Sequence, residues 1–142
     1  MLNFDLIHPE ILAVLAAAGH GATVLIADGN YPASTFVGPH GRIVSLNLSP
    51  GIVGCVDVLR ALVKAIPIEA AHVMQPADSS HPPIWNDFQS VLDESGFTRS
   101  LEPIERFAFY RAASSEQHTL TIQSAEQRIY ANLLLTIGVR GA

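Results

Sequence analysis

Residues 19–32, GHGATVLIADGNYP, place His20 between two glycines and Asp28 eight residues further on, with an apolar run between them. Imidazole titrates closest to neutral pH, which makes His20 a candidate general acid or base. The competing reading is a histidine at a helix C-terminus, where the helix dipole favours positive charge. Asp28 closes a strand candidate, and ligands in open α/β sheets bind at the carboxyl ends of strands. It is equally a natural turn residue opening Asp28-Gly29-Asn30. At about 3.3 Å per residue the strand between them spans roughly 17–20 Å. A straight strand therefore keeps His20 and Asp28 of one chain out of one small pocket. Either the chain bends sharply near the glycines, or one of the two residues faces a pocket completed by a neighbouring subunit.

Two later stretches carry polar groups in apolar surroundings. RIYANLLLTIGV (128–139) embeds Tyr130 and Asn132 two residues apart, which puts them on the same face of a strand. They are either a satisfied buried pair or groups aimed at a ligand. Arg106 lies within IERFAFYRAA, where a part-buried guanidinium needs a partner or an oxygen-rich ligand, while Phe107, Phe109 and Tyr110 are core candidates. His8, His40, His72 and His81 lack metal-ligand spacing, and no cysteine pair occurs, so no metal is expected. No G-x-S-x-G elbow is present. Cys55, set among valines, reads as a small core residue within a helix. The glycines around His20 follow a helix and precede a strand, the reverse of a phosphate-binding loop.

The elements that must position these residues follow from local pattern. Pro9 and Glu10 start a helix that is apolar on all sides and stops at Gly19. Thr23–Ala27 has the unalternating character of a strand covered on both faces. Arg42–Leu48 is a second strand, and residues 51–67 form an amphipathic helix with Asp57, Arg60 and Lys64 on its polar side. Residues 69–76 read as a buried strand, 77–83 as a loop, 84–96 as a helix ending at Gly96, and 103–114 as a further helix. Residues 118–124 and 129–139 supply the last two strands. Alternating strands and helices predict an α/β fold, a single domain over residues 1–142 with a mainly parallel sheet flanked by helices.

Apolar residues make up 49% of the 142 positions and charged residues only 15%. So few charges, against about a quarter in ordinary domains, predict a surface hidden against copies of the same chain. The net charge of −5, with only 8 lysines and arginines, offers no basic stripe for nucleic acid or an anionic membrane. One cysteine suits a reducing compartment. The apolar runs fall short of a bilayer span and the N-terminus lacks a signal pattern, so a soluble cytoplasmic protein is expected.

Taken together, GHGATVLIADGNYPAS, PPIWNDFQSVL, IERFAFYRAA and YANLLLTIGV resemble the L-fucose mutarotase / D-ribose pyranase family. They stand in the family's order, cover nearly the whole chain and lean to the fucose branch. The resemblance implies an isomerase that interconverts the anomers of a free monosaccharide, with no cofactor. It implies a toroidal homodecamer with active sites at subunit boundaries. The family's acid–base histidine falls on His20, its sugar-binding aspartate on Asp28, the arginine of the fucose branch on Arg106, and its tyrosine–asparagine pair on Tyr130 and Asn132. Trp85, Tyr31 and Met74 are candidates for an apolar wall, or simply for core. Two positions depart from the pattern: Ala22 stands where an acidic residue is usual, and Gly29, replacing a small aliphatic residue, is expected to loosen the loop after Asp28. The alternative is a non-catalytic monosaccharide-binding protein serving uptake or regulation, which would keep Asp28, Arg106 and Asn132 without needing His20. A ligand-free oligomeric scaffold is a third reading.

Overall fold

The apolar run Thr23–Ala27 forms strand β1, and Val24, Leu25, Ile26 and Ala27 are all fully buried because both of its faces are covered. In the computed structural model, which describes residues 1–141, five more strands share its sheet. These are β2 (Arg42–Ser45), β3 (Ile68–Met74), β4 (Glu102–Ile104), β5 (His118–Gln123) and β6 (Leu133–Ile137), in the order β2-β5-β1-β6-β3-β4. β5 is parallel to β1 and β2, and β4 to β3, but β6 is antiparallel to both of its neighbours, β1 and β3. The sheet is thus mixed: five strands run in one direction, in keeping with a mainly parallel sheet, and β6 alone runs against them. A parallel return needs a crossover of about a dozen residues or more, and residues 124–132 are too short a connection to provide one.

Side-chain alternation divides the strands between two cores. Val24, Ile26, Leu120, Ile122, Leu133 and Leu135 face one hydrophobic cluster, whereas Leu25, Ala27, Met74 and Leu134 face the other. Helices α1 (Pro9–Ala17), α2 (Cys55–Leu62) and α3 (Ile84–Glu94) cover the first face, and α4 (Arg106–Ala112) contributes Phe109 to the second. α2 buries Cys55, Val58, Leu59 and Leu62, the spacing of one helical stripe. It begins at Cys55 rather than Gly51, because Gly51 holds a left-handed φ of 84° and the Gly54 N–H donates to Asp57 Oδ2 at 3.1 Å, starting the helix there. Cys55 is therefore the first residue of α2, fully buried, with Sγ 3.2 Å from Ser124 Oγ. α1 ends at Ala17, short of Gly19.

Two further expectations are corrected. Residues 102–104 are not helical: Pro103 sits in β4, an edge strand that tolerates its missing N–H, and Glu105 then caps α4 by accepting from the N–H groups of Phe107 and Ala108. β6 starts at Leu133, so Tyr130 and Asn132 precede it instead of sharing a strand face; Tyr130 holds a left-handed φ of 57°, which no strand accommodates. Among the described residues, no helix is long and apolar enough to cross a membrane.

One buried polar cluster anchors β5. His118 is fully buried, its Nδ1 3.2 Å from Thr23 Oγ1 and its Nε2 2.8 Å from Thr121 Oγ1. Burial lowers its pKa from 6.5 to about 4, so the folded protein keeps the ring neutral where the unfolded chain protonates it. The unfolded state therefore gains protons first as pH falls. Stability present above pH 6.5 is lost progressively toward pH 4, by up to roughly 3 kcal/mol from this group. Urea midpoints across that window should fall steeply for the wild type and distinctly less for His118→Gln; parallel curves would refute the assignment.

Candidate active site

The antiparallel entry of β6 gathers four sequence segments at one edge of the sheet. Leu133 pairs with Ile26 on one side and with Val73 on the other. Asn132 therefore emerges beside the ends of β1 and β3, and the pairing of Met74 with Ile104 delivers Arg106 to the same edge. Asp28, Asn30, Tyr31, Met74, Arg106, Tyr110, Ile129, Tyr130 and Asn132 line a pocket there of about 330 Å³. Carboxyl ends of neighbouring strands are the usual place for a ligand crevice in such sheets.

Asp28 and Asn132 form the floor. The Asp28 N–H donates to Asn132 Oδ1 at 2.8 Å, and Asn132 Nδ2 donates back to Asp28 Oδ2 at 2.9 Å. The first bond fixes which end of the amide carries the oxygen. The second carboxylate oxygen, Oδ1, accepts from the Asn30 N–H at 3.0 Å. Burial pushes the Asp28 carboxyl above its ordinary range, while the Asn30 N–H and the Asn132 amide act in the opposite direction. Asn132 thus keeps one N–H for a ligand, and both Asp28 oxygens retain further lone pairs.

Gly29 does not loosen this loop. Its N–H donates to the Glu126 carbonyl at 2.9 Å, and a Cβ at position 29 would lie 3.0 Å from that same oxygen. Glycine is what permits the close approach.

The Tyr130 turn is braced from below. Trp85 Nε1 donates to the Tyr130 carbonyl at 3.2 Å, tying it to α3. Two residues earlier Arg128 binds Glu126 through Nε (2.9 Å) and Nη2 (2.8 Å) and reaches Asp87 of α3 through Nη1 (2.9 Å). That bidentate contact holds the Glu126 carboxyl down at about 2. Trp85 is thus a brace behind the pocket, whereas Tyr31 and Met74 belong to its wall.

Arg106 is exposed, not part-buried as expected, with its guanidinium carbon 5.8 Å from the Tyr110 ring centre. Phe109 is core, but Phe107 is 64% exposed and Ile129, on the pocket rim, 69% exposed. A larger cavity of about 720 Å³ lies across Ile129 and Tyr130, walled by Pro76, His81, Pro82, Ile84 and Arg128. Its lining is chiefly apolar, so the convergent polar groups belong to the smaller pocket.

His20 is elsewhere. It occupies the turn before β1 at the opposite edge of the sheet, where the Gly21 N–H bonds the Ile137 carbonyl. The chain does not fold back to Asp28. His20 Nε2 lies 2.7 Å from Glu69 Oε2, and both side chains are about half exposed. Glu69, 49 residues away in sequence, supplies beside His20 a carboxylate that Ala22 does not. Local spacing gave no sign of it; only the pairing of Ile68 with Ile137 brings it there. Among the described residues no three His, Cys, Asp or Glu side chains converge as a metal-binding group.

Comparison with known proteins agrees with this architecture. Residues 1–140 match the RbsD / FucU transport protein family model. The chain is 33% identical to human fucose mutarotase over 146 aligned positions, covering 94% of this chain and 90% of that protein. It is 32% identical to D-ribose pyranase of Variovorax paradoxus, covering 98% of each. The crystal structure of FucU from Bifidobacterium longum superposes with a TM-score of 0.78 at 34% identity, over 95% of this chain and 96% of that one. Sequence, fold and pocket-bearing topology agree: the chain belongs to the RbsD / FucU family.

Proposed function

We propose that this protein is a monosaccharide mutarotase, acting on L-fucose or a closely related sugar. The observation that carries the reading is the convergence of Asp28, Arg106, Tyr130 and Asn132 on one pocket. At about 330 Å³ it stands at the small end of the ~300–1,000 Å³ typical of ligand sites, the size for one sugar ring. A carboxylate, an amide N–H, a phenol and a guanidinium in an otherwise apolar wall suit a neutral polyol. The named relatives, fucose mutarotase and D-ribose pyranase, support the same class and leave the choice of sugar between them.

The reaction asks for little machinery. The anomeric hydroxyl loses its proton as the ring oxygen gains one, the bond between C1 and the ring oxygen breaks, and the open-chain aldehyde recloses on its other face. Asp28 and Asn132 anchor sugar hydroxyls, Arg106 and Tyr130 close over them, and an imidazole moves the proton. Within one chain His20 is at the wrong edge, so the proposed site takes it from a neighbouring copy in a ring of ten. Ile129 on the rim and Phe107, next to Arg106 in sequence, are exposed apolar residues that favour such a neighbour. Glu69, accepting from His20 Nε2–H, would leave Nδ1 as the basic nitrogen facing the sugar. The same separation of His20 from the pocket favours, as the second reading, a binding protein with no chemistry.

Anomer exchange followed by NMR saturation transfer on L-fucose and D-ribose separates the two. The wild type should accelerate exchange, and His20→Ala and His20→Gln should lose on the order of 10²–10⁴-fold while still binding sugar. Binding without acceleration in the wild type would establish the binding-protein reading instead. Sharing of the site is tested by co-assembly: mixed oligomers of His20→Ala and Asp28→Asn chains should regain exchange that neither variant shows alone. A wild type that light scattering finds monomeric at working concentration would rule out the shared site.

A further inference from the structure

Glu69 belongs to β3, and its carboxylate stands beside His20 because the strand carries one extra residue there. Ile68 pairs with Ile137 and Ala70 with Thr136, so two steps along β3 answer one along β6, and Glu69 is bulged out of register. The alternation of side chains shows what the bulge does. Ala71 and Val73 belong to the core beneath α1, α2 and α3, and Met74 to the core on the other face. In a regular strand Glu69 would turn to the side of Ala71, and Ile68 to the side of Met74. Instead Ile68 packs against the core of Ala71 and Val73. Glu69 is left half exposed, its Oε2 2.7 Å from His20 Nε2.

The backbone around this contact is held from both sides. Arg99 Nη1 donates to the Glu69 carbonyl at 3.1 Å, while its Nη2 donates to Glu102 Oε1 at 3.1 Å. Glu102 Oε2 in turn lies 3.4 Å from His72 Nε2. The Gly138 N–H bonds the Pro67 carbonyl at 2.9 Å, and a Cβ at position 138 would lie 3.3 Å from that of Glu69. On the other side of β6, the Gly21 N–H bonds the Ile137 carbonyl, and the Ile137 N–H bonds the Ala22 carbonyl, each at 2.9 Å. The end of β6 therefore fixes the His20 turn and the bulge together. We propose that Glu69 is the positioning residue of His20, aimed by the bulge to hold the imidazole in one orientation and one tautomer. A carboxylate so placed also stabilises the imidazolium formed while the ring carries the anomeric proton. That proton then passes to the ring oxygen released from C1, and His20 is neutral again. This deepens the proposed function and rests on its assignment of His20.

The test compares Glu69→Gln, Glu69→Ala, His20→Ala and the double variant His20→Ala/Glu69→Ala with the wild type. Each is measured for unfolding midpoint, for sugar affinity and for anomer exchange at saturating L-fucose or D-ribose. An exposed pair adds little to stability, so both Glu69 variants should unfold with the wild type. They should bind sugar as the wild type does, while exchange falls about 10–100-fold. The double variant should be no slower than His20→Ala alone, because Glu69 acts only through the imidazole. Wild-type exchange in both Glu69 variants overturns the proposal and leaves the mutarotase reading intact. A double variant slower than His20→Ala by the full Glu69 factor overturns it as well, since Glu69 would then act independently. Loss of sugar affinity or of stability in both Glu69 variants assigns the residue a structural role instead. A wild type without accelerated exchange, or a His20→Ala variant that keeps it, removes the proposed role of His20 and this one with it.

Discussion

Two reciprocal hydrogen bonds between Asp28 and Asn132 join the end of β1 to the segment entering β6, and the pocket is built around them. Both residues are buried, so neither could stand there alone: an unpaired carboxylate or amide at that depth is strongly unfavourable. The clamp sets Asp28 at a fixed height above the sheet and fixes the direction in which the chain leaves Tyr130. It is available only because β6 runs against its neighbours. A sixth strand parallel to the rest would begin at the far edge, beside His20, and Asn132 would go with it.

That reversal is also where the sequence was hardest to read. Thr23–Ala27 was legible because cover on both faces leaves an unbroken apolar run, and Asp28 because strand ends in α/β sheets face ligand crevices. The direction of β6 is written in no local pattern, since its apolar residues read alike either way. β4 leaves no pattern in the sequence, since three residues, one of them proline, carry no period. Tyr130 and Asn132 read as strand residues because a left-handed tyrosine has no sequence signature; it is held by Trp85, 45 residues away. Arg106 proved exposed because α4 presents its first turn at the surface while Phe109 goes inward. What pattern cannot convey is contact across distant sequence, and Glu69 beside His20 is of that kind.

The bracing of the pocket follows a division of labour. Charge-assisted contacts hold the backbone: Arg128 grips Glu126 and Asp87, and Glu105 caps α4. Neutral groups face the interior, with Tyr31, Met74 and Tyr110 forming the wall beside the Asp28–Asn132 floor. The ion pairs thus lie in the frame, and among the residues lining the pocket only Asp28 and Arg106 carry an ionisable group of opposite sign.

The pocket's location has a mechanical side. Tyr130 hangs by its carbonyl from Trp85, which packs in the cluster beneath α1, α2 and α3, while its own side chain packs with Tyr31 and Met74 against the cluster beneath α4 on the opposite face. One residue therefore ties together two cores that the sheet otherwise keeps apart. A guest resting on the Tyr130 ring presses on one core through the side chain and on the other through the main chain, so the pocket sits on a joint between the layers.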